Sequence, residues 1–252
     1  MEIKKTFLQL FYDLYTKGEM LKAEKLLNNC IPLELQDDED ILNIRKEVIE
    51  RLNDIRDWNN NGRPTPNDYA KIYDINLFPK FTKALEKIEE YFENNHIDGY
   101  KEILDVGCYT AGFINYLAQN GYKCVGIDIH KDLMIKLNGE THGDPLFIYS
   151  RVENISQYFD QKFHVVTAFD VLEHCLDVGP AVSAIESVAK NNALIVINLP
   201  RMTSFYKDEA LEHLRMFSDK DIKNIFGNKK NYKFELCRDE LDRETSFITY
   251  NK

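Results

Sequence analysis

The chain has 252 residues, of which 44% are hydrophobic and 29% are charged, and this composition excludes an intrinsically disordered protein. The 42 acidic residues outnumber the 32 Lys and Arg residues, and the resulting net charge of −10 disfavours general binding to nucleic-acid phosphates. The five cysteines form no CxxC pair, so we expect neither a zinc site nor disulfides. The N-terminus lacks a signal-peptide core, and no apolar stretch approaches the roughly 20 residues of a membrane span, so we expect a cytoplasmic protein.

Residues 1–57 are predicted to form a helical N-terminal extension, because apolar residues recur at helical spacing in three stretches. These residues are Phe7, Phe11 and Leu14 in the first stretch, Leu21, Ala23, Leu26 and Leu27 in the second, and Ile41, Ile44, Val48, Leu52 and Ile55 in the third. The first two helices resemble a single tetratricopeptide-type hairpin. A stable array of such hairpins needs about three repeats. Two interpretations therefore stay open: a surface that docks a protein partner, or an ordinary helical cap.

The segment 58–67 is rich in Asn, Gly and Pro and predicts a linker to a second domain over residues 68–252. Beyond a helix that follows Pro79, short apolar stretches alternate with helical ones. Strands are predicted at 103–106, 123–128, 146–149, 164–169 and 193–198, helices at 113–118, 131–138 and 182–189, and a terminal antiparallel hairpin around Phe234 and Phe247. This alternation predicts an α/β fold with a doubly wound, Rossmann-like parallel sheet and an antiparallel terminal strand.

The first predicted strand runs into a tight turn, Asp105-Val106-Gly107-Cys108-Tyr109-Thr110-Ala111-Gly112, and a helix begins directly afterwards. Gly107 allows a backbone path that a side chain would block, and the helix N-terminus presents unpaired N–H groups. Nicotinamide enzymes use such a turn to hold pyrophosphate. Here the Asp105 carboxylate would repel a pyrophosphate but attract the ammonium group of an amino acid, which favours S-adenosylmethionine over a dinucleotide. Asp128, at the end of the next strand, can accept two hydrogen bonds from ribose hydroxyls.

Residues 103–128 resemble the first two motifs of class I S-adenosylmethionine-dependent methyltransferases: an acid, a Gly-x-Gly-x-Gly turn, and an acid that ends the second strand. The resemblance implies that the turn lines the methionine end of the cofactor, that Asp128 binds its ribose, and that Ile129 and the backbone of Val152 contact its adenine. The implied product is S-adenosylhomocysteine. The implied cofactor-binding residues are Asp105, Gly107, Cys108, Tyr109, Gly112, Asp128, Ile129, Val152, Phe169 and Asp170.

The segment Phe169-Asp170-Val171-Leu172-Glu173-His174 resembles the fourth-strand motif of small-molecule methyltransferases, in particular the ubiquinone-biosynthesis O-methyltransferases. The resemblance places Phe169 and Asp170 beside the methionine moiety and the acceptor. Three roles stay open for Glu173 and His174: a general base, a divalent-metal site together with Asp170, or a structural cap of the following helix.

His213 belongs to a His-x-x-x-Phe-Ser step that the same family shows before its last helix, and Ser218 is the expected N-cap of that helix. The resemblance implies that His213 lies at the rim of the acceptor pocket, and a packing role is the alternative. The candidate catalytic residues are therefore His174, Glu173 and His213.

Together these motifs predict methyl transfer from S-adenosylmethionine to an oxygen or nitrogen of a small molecule or a glycan precursor. Two alternatives stay open. Tyr109 and Ala111 stand where the family usually has glycines, which motivates a catalytically weak or inactive scaffold that binds a partner protein. A nucleic-acid methyltransferase is disfavoured, because Asn198-Leu199-Pro200-Arg201 is a poor match to the Asn-Pro-Pro-Tyr element used for base amination.

Overall fold

The computed structural model describes residues 2–16, 20–61, 79–160, 162–201, 215, 217–238 and 244–252. The N-terminal extension contains α1 (Glu2–Thr16), α2 (Met20–Asn29), a 3-10 turn (Leu33–Leu35) and α3 (Glu39–Asn61). Their apolar faces meet in one small core, as the predicted helical spacing requires. That core consists of Phe7, Phe11, Ala23, Leu27, Leu35, Ile41, Val48 and Leu52.

α3 begins at an acidic turn and ends later than predicted. Asp38 Oδ1 accepts hydrogen bonds from the backbone N–H groups of Asp40 and Ile41, and Lys4 of α1 forms an ion pair with Asp38 at 2.8 Å. The helix continues to Asn61, so the first four residues of the predicted linker are helical. Helix propagation is cooperative, and the low propensity of Asn is only a weak preference against it. Residues 62–67 lie outside the described residues, and the division into two domains stays a prediction.

The following part of the described chain alternates strands and helices, as the sequence predicted. The elements are α4 (Pro79–Asn94), β1 (Glu102–Val106), α5 (Gly112–Gln119), β2 (Lys123–Asp128), α6 (Lys131–Thr141), β3 (Leu146–Tyr149), a 3-10 helix (Val152–Tyr158), β4 (Phe163–Phe169), a 3-10 turn (Leu172–His174), α7 (Val178–Val188), β5 (Ala189–Pro200), α8 (Asp219–Phe226), β6 (Lys230–Arg238) and β7 (Glu244–Asn251). α8 has the predicted N-cap, because the Ser218 side chain accepts from the Asp221 N–H and the Asp221 carboxylate accepts from the Ser218 N–H.

The strands form one seven-stranded sheet in the order β3-β2-β1-β4-β5-β7-β6. The strands β1 to β5 pair in parallel, while β7 pairs antiparallel with both β5 and β6. The predicted parallel sheet with an antiparallel terminal strand is thus confirmed. β2 and β3 are added in turn on one side of β1, whereas β4 and the later strands lie on the other side of β1. Open α/β sheets bind ligands outside the carboxyl ends of their strands at such a reversal, which here lies between β1 and β4.

Helices cover both faces of this sheet. The core on one face includes residues from α7 and α8, such as Ile185 and Phe226, and the core on the other face includes Ile88 of α4 and Leu117 of α5. Consecutive residues of β1 point alternately into the two cores, as the strand repeat requires. Within the described ranges, no helix combines the length and the apolarity that a bilayer span requires.

Candidate functional site

The turn between β1 and α5 lies tightly against the segment that follows β4. Gly107 has a φ of +77°, and a Cβ atom at this position would lie 2.4 Å from Val171 Cγ2. The N–H groups of Gly107 and Cys108 donate to the Ile127 carbonyl near the end of β2, at 2.7 and 3.0 Å. The predicted glycine turn therefore brings the carboxyl ends of β1, β2 and β4 to one place.

Tyr109 and Ala111, which stand where glycines are usual, both adopt the left-handed backbone conformation. Their φ angles are +43° and +64°. The Tyr109 N–H donates to Asp128 Oδ2 at 3.0 Å, and the Tyr109 ring meets the His130 ring edge-to-face at 5.6 Å. Ala111 immediately precedes the first residue of α5. The chain thus keeps, without glycine, the backbone path that glycine usually supplies, at a conformational cost of about 1–2 kcal/mol per residue.

Asp128 connects the turn after β1 with the start of α6. One carboxylate oxygen accepts from the Tyr109 N–H, and the other accepts from the backbone N–H of His130 at 3.0 Å and lies 2.5 Å from His130 Nδ1. The side chain is buried. An ionised carboxylate has about four acceptor positions, so Asp128 retains capacity for a further hydroxyl donor.

Asp105 is buried at the carboxyl end of β1. Its Oδ1 accepts a hydrogen bond of 2.6 Å from the Thr167 hydroxyl on β4. Burial raises the pKa of Asp105 to about 7, the Thr167 hydrogen bond and the Lys80 cation counteract this effect, and the Asp128 carboxylate adds to it. The Asp105 carboxyl group therefore titrates near neutral pH, where a modest change in a neighbouring charge decides whether it is ionised.

Two more of the predicted cofactor residues, Cys108 of the turn and Phe169 of β4, are buried. Cys108 is buried with its Sγ 3.9 Å from Met134 Sδ of α6, and burial raises the pKa of its thiol well above the usual range. Phe169, the last residue of β4, packs edge-to-face against Phe81 and Phe113, with ring centroids 5.2 Å apart in both cases. Phe81, Phe113 and Phe169 pack on one another within the core at the end of β4, and we call these three residues the aromatic cluster.

Gly112, Ile129 and Val152 each follow the carboxyl end of a strand. Gly112 is the first residue of α5, Ile129 lies between β2 and α6, and Val152 begins the 3-10 helix after β3. Val152 is buried and the other two are half-buried. All three therefore lie at the sheet edge where the sequence placed them, and their contacts to a cofactor stay predictions.

Lys80 is a site residue that the sequence analysis missed. Its ammonium group forms an ion pair with Asp170, although the Lys80 side chain is only 4% exposed. Asp170 follows β4 and has a φ of +53°. A signal for this arrangement is present in the sequence, because Lys80, Ala84 and Ile88 recur every four residues and share the buried side of α4. A lysine on an apolar helix stripe indicates a buried ion pair.

Glu173 is fully buried, and neither of its carboxyl oxygens has a hydrogen-bond partner within the described part of the chain. Burial raises the pKa of Glu173 well above its usual range, the Asp170 carboxylate adds to this effect, and Lys80 and Arg215 oppose it. Burial therefore favours the neutral form of Glu173, and a protonated carboxyl group can donate a hydrogen bond.

The metal-site alternative for Asp170, Glu173 and His174 does not fit this geometry. Among the described residues, no group of three or more His, Cys, Asp or Glu side chains is arranged to hold a metal ion. The Asp170 carboxylate binds the Lys80 ammonium instead, and burial favours the neutral form of Glu173. His174 ends the 3-10 turn after β4 and is half-buried. His213, the third catalytic candidate, lies outside the described residues.

Comparison with known sequences gives matches that cover part of the chain. The sequence profile of a family described as a methyltransferase domain matches residues 73–233, which is more than half of the chain. The ubiquinone biosynthesis O-methyltransferase of Vibrio atlanticus (strain LGP32) is 26% identical over 153 residues, 59% of this chain and 59% of that protein. The enzyme of the same name from Proteus mirabilis (strain HI4320) is 30% identical over 93 residues, 36% of this chain and 38% of that protein. The chain thus spans less than two thirds of these relatives.

Solved structures with the same architecture cover more of the chain. The plantazolicin methyltransferase BamL, in complex with a triazolic desmethylPZN analog and SAH, has a TM-score of 0.60 and 15% identity, covering 82% of this chain and 98% of that one. Magnesium protoporphyrin IX methyltransferase (ChlM) from Synechocystis PCC 6803, with bound SAH, has a TM-score of 0.53 and 15% identity, covering 85% and 100%. At these identities the similarity concerns the fold.

Proposed function

We propose an acceptor class and a set of residue roles for this chain. The chain belongs to the methyltransferase-domain family and is an S-adenosylmethionine-dependent methyltransferase. The class I assignment made from the sequence is confirmed by the family match and the seven-stranded sheet. We propose that the enzyme methylates an oxygen or nitrogen atom of a small molecule or a glycan precursor. The curated relatives are named O-methyltransferases of ubiquinone biosynthesis, which favours oxygen as the accepting atom.

The observation that carries the proposal is the position of two buried carboxyl groups at the ends of neighbouring parallel strands. Asp105 on β1 and Asp128 on β2 lie on either side of the Gly107 turn, close enough for the Asp128 charge to raise the pKa of Asp105. In the proposed arrangement Asp105 attracts the ammonium group of the methionine part, and Asp128 accepts from the ribose hydroxyls. When bound there, S-adenosylmethionine supplies a methyl group activated by a positively charged sulfur.

The protein's own task is then to align the acceptor and to exclude water. The aromatic cluster is proposed to form the apolar side of the acceptor site at the end of β4. In its protonated form, which burial favours, Glu173 is proposed to donate a hydrogen bond and so to orient the acceptor. A base is required only where the acceptor must lose a proton, and His174 is the proposed base in that case. His213 stays a predicted residue of the acceptor rim.

We favour neither of the two alternatives from the sequence. Tyr109 and Ala111 were the reason to consider an inactive scaffold, and both keep the left-handed backbone of the glycines they replace. A nucleic-acid acceptor is disfavoured by the net charge of −10. We therefore propose a small-molecule or glycan-precursor acceptor alone.

Calorimetric titration with S-adenosylhomocysteine tests the proposed cofactor site. We expect Asp128→Ala to weaken binding about 10- to 100-fold, since hydrogen bonds to a charged group contribute about 1.5–3 kcal/mol. Asp160→Ala is the matched control, because Asp160 is exposed and lies before the amino end of β4, whereas the site lies at the carboxyl ends of the strands. Equal affinities of the wild type and the Asp128 variant would refute the assigned roles, and absence of binding to both would refute the site. Incubation with S-adenosylmethionine and a panel of phenols, amines and sugar nucleotides, followed by mass spectrometry, tests the acceptor class.

A further inference from the structure

Lys80 is a buried cation at the edge of the cofactor site. Its ammonium group contacts the Asp170 carboxylate in the turn that follows β4, and the Asp170 side chain is 37% exposed. Removing an ammonium group from water costs several kcal/mol unless a close counter-charge compensates, and apolar residues of similar volume often stabilise a fold as well as a buried ion pair does. A charge at this position therefore points to a role in the site rather than in stability.

Three carboxyl groups respond to the Lys80 charge. Asp170 contacts it directly, and the cation lowers the pKa of Asp105 and of Glu173 against the opposing effect of burial. Asp105 is faced by Thr167 from β4, by Asp128 from β2 and by Lys80 from α4. Of these groups Lys80 is the cation, so it balances the negative charge that the strand ends bring together.

We propose that Lys80 is a positioning residue of the methyl-transfer site, whose buried ammonium holds Asp170 and supplies the positive charge that a divalent metal would supply beside Asp170 and Glu173. The inference rests on the proposed function of the site. It also explains why the Asp170-to-His174 segment resembles that of the ubiquinone-biosynthesis enzymes while its carboxyl groups are not arranged around a metal position. A fixed side-chain cation needs no recruitment from solution, so the enzyme is expected to work without added divalent metal.

A metal titration tests the first consequence. Protein treated with a chelator and then dialysed is titrated with Mg²⁺ and with Mn²⁺ by calorimetry, and its affinity for S-adenosylhomocysteine is measured with and without the chelator. We expect no saturable metal binding and the same affinity in both conditions. Stoichiometric binding of Mn²⁺ that Asp170→Asn abolishes would overturn the proposal, because Asp170 would then be a metal ligand and not the partner of Lys80.

Removal of the Lys80 charge tests the second consequence. With Asp105 titrating at about 7, loss of a nearby positive charge is expected to raise its pKa by about one unit. The ionised fraction of Asp105 at pH 7 then falls from about a half to about a tenth. We therefore expect Lys80→Met to bind S-adenosylhomocysteine about fivefold more weakly at pH 7 and to recover above pH 8, with the midpoint of the pH profile shifted upwards by about one unit. Lys80→Arg keeps the charge and is expected to keep the midpoint.

Two further variants make the outcome unambiguous. Lys83→Met removes another lysine of the same helix. Lys83 pairs with Glu235 at a distance of 2.7 Å and not with the carboxyl groups of the site, so we expect this variant to leave the pH profile unchanged. Lys80→Gln combined with Asp170→Asn removes both charges of the ion pair without leaving an unpaired carboxylate, so it keeps the test available if Lys80→Met fails to fold. If this double variant binds with the wild-type affinity and midpoint, the charge of Lys80 is not used and the inference is wrong. Failure of the wild type to bind would instead refute the proposed function.

Discussion

The hydroxyl group of Thr167 donates a hydrogen bond of 2.6 Å to Asp105 across the pairing of β4 with β1, and the two residues are direct partners in the strand register. Both side chains are buried. This single neutral donor does not compensate for the loss of water around the carboxylate, so the pKa of Asp105 stays raised, at about 7. The site therefore contains an acid that titrates near neutral pH.

The raised pKa of Asp105 predicts that the ligand-free protein becomes less stable as the pH rises. Between pH 4 and pH 7 the folded protein holds a proton that the unfolded chain has already released, so the free energy of unfolding falls through this range and levels off above it. The contribution of this group reaches about 4 kcal/mol at most. We expect Asp105→Asn, whose amide oxygen can still accept from Thr167, to remove the contribution of this group. Urea unfolding at pH 5 and pH 8 measures it.

Glu173 acts in the same direction, because burial also raises its pKa. The variant Glu173→Gln isolates this second contribution, and the double variant with Asp105→Asn is expected to have the flattest pH profile of the set. Asp98→Asn is an exposed control that should leave the wild-type profile unchanged. A wild-type free energy of unfolding that rises between pH 5 and pH 8 would contradict the assigned protonation of both acids.

Gly107→Ala is predicted to disturb both stability and cofactor binding. The left-handed backbone costs alanine about 1–2 kcal/mol, and the contact with Val171 Cγ2 at 2.4 Å adds about 1–3 kcal/mol of overpacking. Because the steric part depends on Val171, we expect Val171→Ala to recover some of the loss. Thermal unfolding and titration with S-adenosylhomocysteine measure the two effects.

Gly121→Ala is the matched control for the previous variant. Gly121 also has a positive φ, of +85°, but a Cβ atom there meets no atom within 4 Å. We expect a loss of about 1–2 kcal/mol from the backbone alone and an unchanged affinity for S-adenosylhomocysteine. Equal losses for Gly107→Ala and Gly121→Ala would mean that the close approach of the turn to Val171 has no energetic consequence.

Local sequence patterns predicted the elements whose bounds depend on their own residues. β2 and β3 span the predicted residues 123–128 and 146–149, because each is a short apolar stretch with a clear end. β5 was predicted at 193–198 but spans Ala189–Pro200. Its early part is extended by contacts with distant segments, because Ala189 pairs with Phe163 of β4 and the Asn192 N–H donates to the Lys252 carbonyl at 3.2 Å. Pattern alone does not reveal such pairing, because strand preference depends on neighbouring strands.

The start of α7 shows a second limit of local reasoning. The helix was predicted to start at residue 182, yet it begins at Val178 and includes Gly179 and Pro180. A Gly-Pro pair normally marks a turn, but proline is tolerated in the first turn of a helix, where its missing N–H has no intrahelical partner. The buried Lys80 was missed for a related reason: its partner Asp170 is 90 residues away in the sequence, and only the fold brings the two together.

Tyr109 stands where the family usually has a glycine, which put the geometry of the turn in doubt, yet its backbone adopts a positive φ of +43°. Tyr109→Gly is predicted to leave the affinity for S-adenosylhomocysteine unchanged and to alter stability by less than about 1 kcal/mol. The relief of left-handed strain is offset by the greater freedom of glycine in the unfolded chain and by the lost contact with the His130 ring.

Tyr109→Val provides the contrast, since a β-branched residue adopts a φ of +43° much less readily than tyrosine does. We expect this variant to lose both stability and cofactor affinity, because the N–H group that donates to Asp128 would be displaced. Normal binding by the valine variant and impaired binding by the glycine variant would show that the tyrosine ring, rather than the backbone, serves the site.

Asp177 connects the N-terminal extension to the segment that carries Glu173 and His174. It occupies the N-cap position of α7 but makes no side-chain cap there, and its Oδ1 instead accepts from the Leu21 N–H in the first turn of α2 at 3.0 Å. The neighbouring Leu176 packs against the core of the N-terminal helices. These contacts favour the interpretation of the extension as a helical cap on the enzyme.

One substitution removes the hydrogen bond that Asp177 accepts from the first turn of α2. Asp177→Ala is expected to destabilise the docking of α2 by about 1 kcal/mol, the usual contribution of an N-cap acceptor, while Asp177→Asn retains an acceptor oxygen and is expected to lose little. Hydrogen exchange resolved by peptide measures this: amides of α2 and of residues 172–178 should exchange faster in Asp177→Ala, and those of β1 and β2 should not change. Faster exchange throughout the sheet would indicate global destabilisation instead, and unchanged exchange in α2 would mean that the Asp177 contact does not hold the extension in place.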